Sequence, residues 1–207
     1  MSPDLTGTGL RVMGCCDGGP DDGLPHDGQV ILLGPDEPSF WPIFQASAEA
    51  QDGNPDPLDR WSRRVIDELA THIRAAAIYP FGGPPFLPFQ TFATRSGQAW
   101  PSPIRFLIHA DRGLWVSFRG GLLIRDAAAA PPTPQQRPCD ACHAPCATAC
   151  PVDAFAEGYD VGACKRHINS PAGLDCIAQG CRARRACPVG AGLRLPAQAA
   201  FHMEAFR

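Results

Sequence analysis

The sequence predicts an α+β fold, with a small mixed α/β domain in front of a loop-rich, cysteine-dense module. Short apolar runs bounded by turn residues are typical of strands, and one longer segment repeats apolar residues at helical spacing. The 207 residues include 23 prolines and 21 glycines, so we expect long loops and short regular elements. Eight of the ten cysteines fall between residues 139 and 187, which marks the second module.

The front of the chain begins with two predicted strands, over residues 10–14 and 29–33, joined by a turn-rich stretch. A helix is predicted over residues 58–74, because its apolar residues recur every three or four positions. Asp56 is expected to cap this helix, and Pro57 suits its first turn.

A third predicted strand covers residues 75–79. The proline-rich segment that follows forbids a regular element, and a short helix is predicted after it, over residues 91–96. Residues 104–109 and 114–118 are predicted to pair as a hairpin, with residues 120–124 extending the sheet.

We predict a division into three parts. Residues 1–125 form the small α+β domain, and residues 126–138 form an Ala/Pro-rich linker without apolar periodicity. Residues 139–207 form the cysteine-dense domain and a C-terminal tail.

Charge and hydropathy exclude several classes of partner. The net charge of −3 argues against nucleic acid or an anionic membrane as the main partner. The apolar runs are too short to cross a bilayer, and the N-terminus shows no pattern of an export signal. We therefore expect a cytoplasmic protein in a reducing compartment, where clustered thiols are metal ligands rather than disulfides.

The cysteines of the second domain follow a specific spacing. The first four form C-x2-C-x3-C-x3-C-P, one cysteine follows fourteen residues later, and the last three form C-x4-C-x5-C-P. The eight candidate ligands are Cys139, Cys142, Cys146, Cys150, Cys164, Cys176, Cys181 and Cys187.

This spacing predicts two [4Fe–4S] clusters with crossed ligands. One loop can wrap three corners of a cubane cluster, while a fourth cysteine three residues further on points away and ligates a second cluster, as in bacterial two-cluster ferredoxins. The first cluster is then held by Cys139, Cys142, Cys146 and Cys187. The second is held by Cys150, Cys164, Cys176 and Cys181.

The module resembles the two-cluster bacterial ferredoxin domain over about a quarter of the chain. Its spacing is most similar to the iron–sulfur domain of epoxyqueuosine reductases and reductive dehalogenases, where a first run ending in C-P precedes a lone cysteine and a second group ending in C-P. The front segments FWPIF, DPLDRWSRRVI, FGGPPFLPF and GLWVSFRGGLLI also resemble small bacterial proteins described only as ferredoxins.

Two spacings depart from that family. The third cysteine of the first run follows three residues instead of two, and the last group has gaps of four and five residues instead of two and three. The sequence therefore leaves open whether the second cluster, whose ligands include Cys176 and Cys181, is a complete [4Fe–4S] cluster.

Other interpretations of the cysteines remain open. Four-ligand sets also bind structural zinc, although zinc modules usually combine two tight cysteine pairs and this chain has a single C-x2-C. Disulfides require an oxidising compartment. The remaining pair, Cys15 and Cys16, is interpreted as structural, because adjacent cysteines do not easily reach one cube.

Basic residues lie beside several predicted ligands. Positive charge near a reduced, anionic cluster raises its potential, and the same residues could dock an acidic redox partner. The alternative is that they pair with aspartates of the module. These residues are Lys165, Arg166, Arg182, Arg184 and Arg185.

We interpret the chain as an electron carrier with two clusters rather than as a catalyst. The alternative is a corrinoid- or flavin-dependent reductase related to epoxyqueuosine reductase, with clusters that feed a cofactor on the front domain. The front segment is short for that cobalamin-binding domain, and the V-D-S-x-P-x-x-E-R motif of those enzymes is absent. A corrinoid is therefore unsupported by motif. The third hypothesis is a zinc-stapled interaction module.

Overall fold

The computed structural model describes residues 3–127, 133 and 135–207, and the α+β class predicted from the sequence is confirmed. The chain folds as two compact units. The first contains residues up to 98 and residues 117–135, and the second contains residues 99–116 and 136–207. Part of the predicted linker, residues 128–132 and 134, lies outside the described residues.

The first unit is built on a four-stranded antiparallel sheet. Its strands, in the spatial order β1-β2-β6-β3, are β1 (Leu10–Gly18), β2 (Gly28–Pro35), β6 (Gly120–Arg125) and β3 (Ala76–Ile78). The apolar run Val30–Leu33 of β2 is buried because β2 lies inside the sheet with both faces covered. The strands predicted over residues 10–14, 29–33, 75–79 and 120–124 are confirmed.

Among its described residues, the first unit also has four α-helices: α1 (Phe40–Gln45), α2 (Ala48–Gln51), α3 (Pro57–Ile73) and α4 (Phe89–Arg95). Helix α3 packs against β3 and β6, and α4 packs against β1 and β2. The predicted cap of α3 is wrong in one respect. Asp56 has left-handed backbone angles (φ 51°, ψ 46°), and its carbonyl oxygen rather than its carboxylate accepts the first hydrogen bonds of the helix. An N-cap residue whose side chain accepts a hydrogen bond from the first turn normally has an extended backbone itself, which Asp56 does not.

The second unit has one short hairpin and four helices. The hairpin pairs β4 (Ala99–Pro101) with β5 (Leu107–His109). The helices are α5 (Val161–Ile168), α6 (Leu174–Gln179), α7 (Arg182–Arg185) and α8 (Pro196–Phe206). Helix α8 packs against α6. In the part of the chain that the structure describes, no helix is long and apolar enough to cross a membrane.

The predicted hairpin between residues 104–109 and 114–118 is wrong. Strand β5 pairs with β4 instead, and residues 114–118 form no strand. Leu114 is buried in the core of the second unit with Cys146 and Cys187. The apolar pattern of residues 114–116 therefore reflects burial in this unit rather than strand pairing.

Candidate metal centres

The first run of cysteines lies in irregular backbone. Ala144 adopts left-handed angles (φ 52°), and a 3₁₀ turn at Pro145–Ala147 follows it, so the chain reverses direction around Cys146. Cys146 is buried, while Cys139 and Cys142 are half-buried. The Ala144 N–H lies 3.4 Å from Cys142 Sγ and donates a hydrogen bond to it.

The later cysteines lie on or beside short helices. Cys164 belongs to α5 and Cys176 to α6, while Cys181 is the residue that precedes α7 and Cys187 follows its end. Gly180 links α6 to α7 with a φ of 86°. A Cβ there would lie 2.8 Å from the Trp115 ring, so the turn that aims Cys181 depends on a glycine.

Four thiols line one cleft of the second unit. They belong to Cys139, Cys142, Cys146 and Cys187. Prolines and aliphatic residues form most of the remaining wall, including Ile108 of β5 and Leu114, which follows that strand.

The other four thiols line a separate cleft of the same unit. They belong to Cys150, Cys164, Cys176 and Cys181. This wall also contains His167, Arg182 and Met203. The two sets of four are the same sets that the spacing predicts.

The thiols of each set influence one another electrostatically. Burial raises the pKa of Cys139 and of Cys146, and negative charge on Cys187 raises each further. Burial likewise raises the pKa of Cys164 and of Cys176, and negative charge on Cys181 adds to it. Four thiolates that line one cleft need a positively charged partner to stay ionised together.

Hydrogen-bond donors surround the sulfur atoms. The Ala154 N–H donates to Cys150 Sγ at 3.4 Å, and the Arg182 backbone N–H lies beside Cys176 and lowers its pKa. The Tyr159 hydroxyl acts to lower the pKa of the Cys164 thiol, and the positive charge of Arg137 acts to lower that of Cys139, each against the stronger effect of burial. Such donors stabilise sulfur that carries negative charge.

Sequence reasoning missed the contribution of residues 99–116. Gly113 has a φ of 55°, and a Cβ on it would lie 2.0 Å from the Val189 carbonyl oxygen and 3.1 Å from Cys187 Sγ. Ser102 and Pro103 also line the first cleft. No local signal marks these residues, because their role depends on contacts with residues more than thirty positions away.

The predicted basic patch divides in the structure. Lys165, Arg166 and Arg182 are exposed. Arg185 is exposed as well, and both Arg182 and Arg185 form ion pairs with Asp175. Arg184 is half-buried, with its guanidinium 4.8 Å from the centre of the Phe106 ring and a 2.9 Å hydrogen bond to the Leu114 carbonyl oxygen.

Cys15 and Cys16 lie on β1 in the first unit, apart from the eight other cysteines. Burial raises the pKa of both thiols, that of Cys16 to about 11.

Across residues 3–127, 133 and 135–207, no group of three His, Cys, Asp or Glu side chains has an arrangement that holds a metal ion. The four thiols of each set line a cleft instead. Comparison with known proteins found no matching family model, no matching curated protein and no matching solved structure.

Proposed function

We propose that this chain is a ferredoxin-like iron–sulfur protein that carries two [4Fe–4S] clusters and transfers single electrons between redox partners. One observation carries the proposal: two sets of four thiols line two separate clefts, and each set combines cysteines from distant parts of the sequence. In two-cluster ferredoxins, too, the fourth cysteine of a run belongs to the other cluster from the first three.

The donor set suits iron–sulfur clusters. Four cysteine thiolates are the usual ligands of a [4Fe–4S] cluster, which supplies a reversible one-electron couple when bound. The chain contributes thiolates, N–H donors to sulfur and apolar walls that keep water away. Electron transfer of this kind makes and breaks no covalent bond in the protein.

Cluster binding is coupled to protons. Thiols with a raised pKa are protonated near neutral pH, and ligation requires their thiolate form. Binding therefore releases protons, so we expect cluster retention to weaken as the pH falls.

The exposed basic residues of the second unit support docking of an acidic redox partner. Lys165 and Arg166 follow Cys164 directly, and Arg182 follows Cys181. Charge reversal of Lys165 and Arg166 to glutamate is expected to slow electron transfer from an acidic donor protein at low salt. The difference from the parent should shrink at high salt, where exposed charges are screened.

Anaerobic purification tests the proposal. We expect a brown protein whose broad visible absorption is bleached by dithionite and returns on reoxidation, with two one-electron waves in a potentiometric titration. Zinc without iron would overturn the proposal. A bound corrinoid or flavin would favour the reductase alternative over the carrier.

A further inference from the structure

We propose that the Ser102 hydroxyl donates a hydrogen bond to the first cluster and raises the reduction potential of that cluster. This inference rests on the proposed function and deepens it. Ser102 lies between β4 and β5, 37 residues before the first cysteine of the module, and nothing in the cysteine spacing points to it.

The burial of Ser102 is the first observation. Ser102 lines the cleft that also holds Cys139, Cys142, Cys146 and Cys187, and the residue is 6% exposed. Among the described residues that line this cleft, it is the only polar side chain apart from the thiols.

The hydrogen bonding of Ser102 is the second observation. Its backbone N–H donates to the Phe106 carbonyl oxygen at 2.8 Å, and its carbonyl oxygen accepts from the Arg105 N–H at 2.9 Å. The hydroxyl, by contrast, is buried and has no hydrogen-bond partner within the described part of the chain. A buried hydroxyl without a partner is destabilising, and native proteins rarely keep one without a reason.

A cluster in this cleft supplies the missing acceptor. Its sulfides and the ligand thiolates are negatively charged acceptors, and their charge increases on reduction. A hydroxyl donor stabilises the reduced form more than the oxidised form, which raises the potential. Ser102 is thus a positioning and tuning residue of the first cluster and binds no iron.

The test compares Ser102→Ala with Ser102→Thr in anaerobic potentiometric titrations monitored by electron paramagnetic resonance. Ser102→Ala is expected to decrease the ratio of reduced to oxidised first cluster at a fixed potential by up to about tenfold. That change corresponds to a shift of about 59 mV for a one-electron couple. The reduction potential of the second cluster should not change in Ser102→Ala. Ser102→Thr, which keeps the hydroxyl, should retain the parent potential of the first cluster.

Ser96→Ala is the matched control. Ser96 is also fully buried, but its hydroxyl donates to the Ala93 carbonyl oxygen at 2.6 Å in the first unit. Its loss should move neither potential and should lower the midpoint of thermal unfolding of the cluster-free protein. Ser102→Ala should leave that midpoint unchanged or raise it, because it removes an unpaired buried group.

Two results overturn the inference while the proposed function survives. In one, both clusters are present and Ser102→Ala moves neither wave, or only the second. In the other, both Ser102 variants lose the first cluster, so the hydroxyl is not the feature that the site requires. Absence of both clusters from the parent protein would instead overturn the proposed function.

Discussion

Each of the two cysteine sets places four thiols along one cleft, and the surroundings of the two clefts differ. Three thiols of the first set come from one loop, and its cleft is closed by prolines, aliphatic side chains and Ser102. In the second set, Cys164 lies on α5, Cys176 lies on α6 and Cys181 directly precedes α7, and the cleft includes His167 and Arg182. The difference teaches that identical ligation does not imply identical redox behaviour, because hydrogen bonds, charge and burial around a cluster set its potential.

Charged residues act on both sets: Arg137 acts on Cys139 of the first set, and Asp175 and Arg185 act on Cys176 of the second. Arg184 lies near Cys181, whose negative charge raises the pKa of Arg184 against the stronger effect of burial, which lowers it. The Tyr159 hydroxyl favours the ionised form of the Cys164 thiol, and the Tyr159 ring stacks on Phe155, with ring centres 5.0 Å apart. We therefore expect the second cluster to be reduced at the higher potential.

Removal of single ligands gives the largest expected effects. Cys142→Ser should lose the first cluster and Cys176→Ser the second, each with about half of the bound iron. Cys15→Ser should keep all of it, because Cys15 lies on β1 in the other unit. Iron quantitation on the three variants and the parent checks this. Equal iron in all four proteins would contradict the ligand assignment.

A glycine substitution separates the two sites by sterics alone. Gly113→Ala places a methyl group against the Val189 carbonyl oxygen and Cys187 Sγ in a left-handed backbone conformation. We expect about 1–3 kcal/mol of strain and preferential loss of the first cluster. Gly192→Ala is the matched control, since Gly192 has a φ of 79° but no atom within 4 Å of its added Cβ. Thermal unfolding and iron content measure both effects, and identical behaviour of the two variants would refute the steric argument.

Tyr159→Phe is the corresponding test at the second cluster. The variant removes the hydroxyl that acts to lower the pKa of the Cys164 thiol, and it keeps the ring among its aromatic neighbours. The second potential should fall by up to about 59 mV, a tenfold change in the ratio of reduced to oxidised cluster. Tyr79→Phe, which removes a hydroxyl bonded to Asp67 in the first unit, should change neither wave. A Tyr159→Phe shift confined to the potential of the first cluster would contradict the assignment of Tyr159 to the second cluster.

The smallest effect concerns the front cysteines. The pKa of Cys16 is raised to about 11 by burial, so roughly one thiol in a hundred is ionised at pH 9. We expect slow reaction with thiol reagents in the folded, cluster-free protein and fast reaction after unfolding. Because the pKa of Cys16 is higher in the folded protein, its contribution to the free energy of unfolding depends on pH. This stabilising contribution is complete below the pKa of the unfolded chain and is lost as the pH rises through about 11. Rapid labelling of Cys16 at pH 8 would contradict its burial.

Local patterns predicted much of the fold. The apolar run of β2 and the helical spacing of α3 each identify an element within a few residues of its observed bounds. The cysteine spacing predicted the same two sets that line the two clefts, because loop length limits which thiols can lie close together.

Long-range contacts explain what the sequence did not reveal. Leu114 has the apolar pattern of a strand residue, yet it is buried against Cys146 and Cys187 in the second unit. Ser102 and Gly113 bear on the first cleft only through contacts with residues far along the chain. Burial of this kind depends on the tertiary structure, which no local periodicity encodes.

Native mass spectrometry of the anaerobically purified chain tests the central claim most directly. We expect the 22.1 kDa polypeptide with added mass for two clusters, each of four iron and four sulfide, and one such addition in Cys142→Ser. A bare chain, or a chain carrying zinc alone, would contradict the account.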